Sequence, residues 1–183
     1  MKRFLATLEE IIDNLISSKQ QVDTKEIEKF VEVLLKANKI YTYGAGRSGL
    51  IAKAFAQRLM HLGFKSYVIG ETINPSVESG DAIVIVSGSG ETTSSVCIGK
   101  KAKEVGAVLV VITAHPESSL GKIADLVVKV PGKTKIIERE SLAPFTTLFD
   151  ITAMAVLDSV ASELMEKIGA TEETIAKKHA NVE

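Results

Sequence analysis

Apolar residues recur at helical spacing from the start of the chain, where Phe4, Leu5, Leu8, Ile11, Ile12, Leu15 and Ile16 form one stripe. Asp23 with Glu26 three residues on reads as a capping box, opening a second helix that carries Ile27, Phe30, Val31, Leu34 and Leu35. Beyond residue 37 the texture changes. Short β-rich runs at 40–43, 66–69, 82–86, 107–113 and 126–130 alternate with helical stretches at 48–62, 91–105 and 117–124. The runs at 82–86 and 107–112 are almost continuously apolar, as strands covered on both faces are, whereas Lys129 marks 126–130 as an edge strand. A polar loop, 131–143, leads to a helix over 145–168 that is apolar nearly all round and therefore needs partners on more than one side. A short helix near 171–178 precedes the tail, 179–183. The alternation predicts one α/β domain built on a parallel, doubly wound sheet. Within it, 1–36 are N-terminal helices, 37–131 the sheet core, and 145–183 the C-terminal helices and tail.

Composition narrows the classes. With 183 residues, 45% of them apolar and 25% charged, the chain can bury a core without disulfides, and its one cysteine, Cys97, could not form an internal one. A reduced, cytoplasmic setting is the expectation. Twenty-two Lys and Arg against 23 Asp and Glu leave no basic excess for nucleic acid. Glu9, Glu10 and Asp13 interrupt any signal-like segment, and no apolar run has membrane-spanning length. His61, Cys97, His115 and His179 are scattered without zinc-ligand spacing, so no metal site is expected.

Two glycine loops carry the candidate chemistry. Gly44-Ala45-Gly46-Arg47-Ser48-Gly49 follows a strand and opens a helix, which fits the dinucleotide fingerprint, with Glu71 after the next strand as a ribose-binding acid. A plain turn would also explain it. The second loop, Ser87-Gly88-Ser89-Gly90-Glu91-Thr92, shifts the reading, because hydroxyls and bare backbone at a helix start suit a phosphate dianion and a dinucleotide fold needs only one such loop. Ser48, Ser87, Ser89 and Thr92, with the amides of Gly88, Gly90 and Glu91, are the phosphate candidates. Arg47 stands at the mouth of the first loop, where a guanidinium could meet a sugar oxygen or a developing enediolate.

The segments GAGRSGLIAKAFAQRLMHLGF, VIVSGSGETTS and KHANVE, with Gly70-Glu71-Thr72, resemble the sugar isomerase (SIS) domain, and within it the 6-phospho-3-hexuloisomerase family. The resemblance runs from about residue 30 to the C-terminus. It implies a SIS-domain, five-stranded parallel sheet in flavodoxin-like order and a sugar phosphate as ligand. It also implies no cofactor or metal, and a homo-oligomer, a tetramer, with active sites near subunit contacts. The implied reaction interconverts 3-hexulose 6-phosphate and fructose 6-phosphate through a cis-enediol. The family's catalytic glutamate falls on Asp150, in Pro144-Phe145-Thr146-Thr147-Leu148-Phe149-Asp150, with the carboxylate one methylene shorter and Thr146 in place of a glycine. Glu91 is the second candidate base, since related isomerases carry a glutamate after such a loop; alone it reads as an acid complementing a helix N-terminus. His179 matches a histidine that SIS isomerases place near the sugar, in its own or a neighbouring subunit. His61 reads as complementing a helix C-terminus, His115 as structural and Cys97 as core packing. An arabinose-5-phosphate-type isomerase and a non-catalytic SIS sugar-phosphate-binding protein are the alternatives. The second of these is disfavoured because such modules are usually fused to another domain, for which this chain has no room.

Overall fold

The computed structural model describes residues 1–136 and 140–182; the predicted loop 131–143 and tail 179–183 extend to residues 137–139 and 183, which lie outside them. The chain runs α1 (Lys2–Ser18), α2 (Thr24–Lys36), β1 (Ile40–Gly44), α3 (Arg47–Leu62), β2 (Ser66–Val68), β3 (Ala82–Val86), α4 (Thr93–Glu104), β4 (Val108–Thr113), β5 (Leu126–Lys129), α5 (Thr147–Lys167) and α6 (Glu172–Ala176). The five strands pair in parallel in the order β2-β1-β3-β4-β5. This is the doubly wound, flavodoxin-like order, and it reverses direction between β1 and β3.

Side-chain alternation along the strands builds two cores. Ile40, Val84, Val86, Val110 and Ile112 face α2, α3 and α5, with Phe30, Phe55, Leu59, Phe149 and Leu157 completing that layer. Tyr41, Ile83, Ile85, Leu109 and Val111 face the other way, over Ala102 and Leu120. The helix that is apolar all round finds its partners: α5 packs on α3, α1 and α2 together.

Several expectations shift. The stretch 117–124 is not a helix: only a 3₁₀ turn forms, at Gly121–Ile123, its first N–H donating to Ser118 Oγ at 3.2 Å. Asp23 caps α2 by accepting from Lys25 N at 2.8 Å, but Glu26 does not complete the box. Its carboxylate instead takes the Lys129 N–H at 3.1 Å, an otherwise open donor on the edge strand. Cys97 is exposed rather than packed, because the buried line of α4 runs through Ser95, Gly99 and Ala102 and leaves residue 97 on the far side. Among the described residues no helix is long and apolar enough to cross a membrane.

The register matters most at the carboxyl ends of β1 and β3, where Gly44 lies beside Val86. The two glycine loops therefore start shoulder to shoulder. Gly44 lets α3 begin against the strand, since a Cβ there would stand 2.5 Å from the Ser48 carbonyl. Gly44→Ala must push α3 outward, and we expect it to lower stability by about 1–3 kcal/mol, read as a fall in the urea midpoint. An unchanged midpoint would show that this contact does not set the spacing.

Candidate active site

A cavity of about 210 Å³ opens at the switch point. From the first loop it takes Arg47 and Ser48, and from the second Ser87, Gly88, Ser89 and Thr92. Its remaining wall comes from Thr134, Lys135, Phe145, Thr146 and Phe149. The space is small beside the ~300–1,000 Å³ of common ligand pockets, which suits one phosphorylated monosaccharide better than a dinucleotide. Glu71, the ribose-binding candidate, sits outside it and pairs with Lys53 at 2.9 Å.

Ser87 and Ser89 both line the cavity and are buried, and Ser89 Oγ accepts the Glu91 N–H at 3.3 Å. Gly90 supplies the turn rather than a wall, with φ at 64° and its N–H donating to the Ser87 carbonyl at 3.1 Å. Helix α4 then starts at Thr93, aiming its first amides toward the loop.

Asp150 lies in the first turn of α5, 3% exposed, immediately behind this wall. It does not itself line the cavity; its partners do. Arg47 Nε donates to Oδ2 at 3.0 Å, Thr146 Oγ1 donates to the same oxygen at 2.7 Å, and Ser48 Oγ stands 3.5 Å from Oδ1. The threonine that replaces the expected glycine is thus a ligand of the shorter carboxylate. The strained backbone falls one residue earlier, at Phe145, where φ is 44°. Phe149 anchors the turn, fully buried between α5 and the sheet.

The other candidates are placed elsewhere. Glu91 is not in the cavity: its carboxylate accepts the Ser119 N–H at 2.7 Å, satisfying a loop donor on the side of β4. The Ser119 hydroxyl and N–H hold its carboxyl below the ordinary range. His179 is not in the cavity of its own chain either. Its ring stacks on His61 at 5.2 Å, and His61 is near the end of α3 opposite Arg47, about 21 Å away along the helix. His61 is buried in that last turn, where burial, then His179 and Arg58, push its imidazole below the usual value. His115, outside the cavity lining, stands with Nε2 2.9 Å from Oγ1 of Thr134 in the wall. Among the described residues no three His, Cys, Asp or Glu gather as a metal site.

The sequence reading missed Thr134 and Lys135, because the segment after β5 has no periodicity and reads only as polar. Its run Gly132-Lys133-Thr134-Lys135 was the one available signal: basic and hydroxyl residues just past the carboxyl end of a strand.

Three comparisons bear on this geometry. The SIS domain matches residues 33–161. The 3-hexulose-6-phosphate isomerase of Bacillus subtilis is 41% identical over 95% of this chain and 96% of that protein. A crystal structure from Methanococcus jannaschii, for which a molecular function of 3-hexulose-6-phosphate isomerase is inferred, matches with a TM-score of 0.87. That match is 34% identical, over 96% of this chain and 98% of that one. An E. coli protein solved in complex with a ligand matches with a TM-score of 0.78 at 25% identity, over 97% of each chain.

The Glu91 contact predicts a pH signature. Its folded value lies below the ordinary 4.5, so the contact stabilises fully above that value and is lost as pH falls through the folded one. Glu91→Gln should therefore unfold more easily than the parent at pH 7, with the gap closing as pH falls below the ordinary carboxylate range. A gap that widens on acidification would assign the carboxylate another partner.

Proposed function

The chain belongs to the SIS-domain family, and we propose that it is a sugar-phosphate isomerase interconverting 3-hexulose 6-phosphate and fructose 6-phosphate through a cis-enediol. The observation that carries the reading is the cavity at the β1/β3 switch point, lined by a loop of hydroxyls and amides and by Arg47, Ser48 and Thr146, which meet a buried carboxylate just behind the wall. The names of close relatives point the same way.

Moving the ketone from C3 to C2 takes two proton transfers. A base removes the proton from C2 while O3 gains one, giving the enediol; O2 then loses its proton and C3 receives one. The rearrangement is redox-neutral for the molecule, so the reading calls on no cofactor. Ser48, Ser87, Ser89 and Thr92 hold the phosphate, and that binding orients C2 and C3. Asp150 is the base. Arg47, about two-thirds exposed, is free to swing on its stem. When it turns to the sugar oxygens it stabilises the enediolate and uncovers Oδ2 of Asp150 at the same moment. The short Asp side chain and the Thr146 hydroxyl then fix where the carboxylate points.

The same reading includes a homo-oligomer, a tetramer, in a reducing, cytoplasmic setting. The chain alone exposes 10191 Å², against roughly 8,600 Å² expected from area scaling for its size. Phe4, Leu5, Leu8, Ile12 and Ile16 on α1 are each at least 45% exposed, an apolar stripe suited to a second copy. His179, remote from its own cavity, then serves a neighbouring subunit, shuttling the hydroxyl proton.

Purified protein should form fructose 6-phosphate from 3-hexulose 6-phosphate; turnover of arabinose 5-phosphate alone would replace the substrate assignment. Asp150→Asn should cut kcat by about 10²–10⁴-fold with the binding of fructose 6-phosphate little changed. A variant near parental turnover would remove Asp150 as the base. Mixing inactive His179→Ala subunits with inactive Asp150→Asn subunits should restore part of the activity, which cannot happen if both residues serve one chain's site.

A further inference from the structure

The proposed chemistry leaves the electrostatics of the cavity incomplete. Arg47 and Asp150 cancel one another, Glu91 is turned out of the cavity onto Ser119, and the lining residues of the serine loop, Ser87, Gly88, Ser89 and Thr92, offer dipoles but no charge. A phosphate monoester brings about −1.5 to −2 charges at neutral pH. The lining contains one further cationic side chain, Lys135, and among the described residues no carboxylate pairs with it. Resting on the sugar-phosphate reading, we infer that Lys135 is the cation that meets the substrate phosphate, and that His115 and Thr134 are positioning residues that hold it over the serine loop.

Lys135 is exposed, but the strap that carries it is fixed on three sides. Gly132 lies flat on α5, where a Cβ would come 2.5 Å from Phe149 Cα. Thr134 is 2% exposed, and its methyl presses on the serine loop so closely that a Cβ on Gly88 would meet it at 3.1 Å. Its hydroxyl oxygen accepts the Ile136 N–H at 3.3 Å and shares a hydrogen bond with His115 Nε2 at 2.9 Å. His115 is itself tied to the end of β4, its N–H donating to Thr113 Oγ1 at 3.1 Å. The backbone of residue 135 is thereby set beside the loop chosen for the phosphate. A flexible ammonium there can close on a bound dianion without a cation buried in the empty site, whose desolvation would be costly.

The test is calorimetric binding of fructose 6-phosphate to the whole protein at low and high salt. Lys135→Ala should raise Kd about tenfold at low salt, and the gap should shrink at 0.5 M salt (roughly a 4 Å Debye length), while Lys135→Arg stays within about twofold of the parent. Thr134→Val should weaken binding in the parent but add little to Lys135→Ala, because it acts through the lysine. Thermal unfolding of each variant verifies that it is folded. Parental affinity in Lys135→Ala overturns the inference while leaving the isomerase reading intact, and full additivity of the two changes overturns the positioning role. A parent protein that binds no fructose 6-phosphate overturns the sugar-phosphate reading together with it.

Discussion

A carboxylate taken out of water has to be met by donors, and the donors that meet Asp150 come from segments a hundred residues apart in the chain. Arg47 and Ser48 open α3 after the first strand; Thr146 precedes α5. Their convergence pins the start of α5 against the first glycine loop and so closes one side of the cavity. In that contact the arginine side is largely exposed while the aspartate side is not. In the proposed mechanism the pair is a latch, covering the carboxylate until a substrate competes for the guanidinium.

The rest of the fold serves that convergence. Parallel pairing of β1 with β3 brings both loops to one edge, and Gly44 allows α3 to begin close enough for Arg47 to reach α5. Phe149, locked in the core, removes freedom from the turn that carries Asp150. On the proposed reading the phosphate is held around this pair by amides, hydroxyls and one rim lysine, so that a chain with a net charge of −1 takes an anionic ligand.

Much of this was legible in the residues. The apolar runs at 82–86 and 107–112 could only be central strands, and glycine after each of two strands marked the crevice. Local pattern carried less where tertiary demand decided the outcome. Glu26 and Glu91 have the spacing of helix-start acids, yet each carboxylate went to an unmet backbone N–H elsewhere, on Lys129 and Ser119. The strap 131–136 was invisible as a wall because its place depends on single contacts, Gly132 on Phe149 and Thr134 on His115, that no periodicity encodes. Resemblance put His179 near a sugar, whereas the fold stacks it on His61, outside the cavity of its own chain.

The latch is tested most directly by a crystal structure with fructose 6-phosphate bound. The account predicts the phosphate on the amides and hydroxyls of the Ser87–Thr92 loop and Arg47 turned off Asp150 toward the sugar oxygens. An Asp150 carboxylate oxygen should then lie in contact with C2 or C3. A bound sugar phosphate that leaves the Arg47–Asp150 pair intact, with C2 and C3 out of reach of the carboxylate, would contradict it.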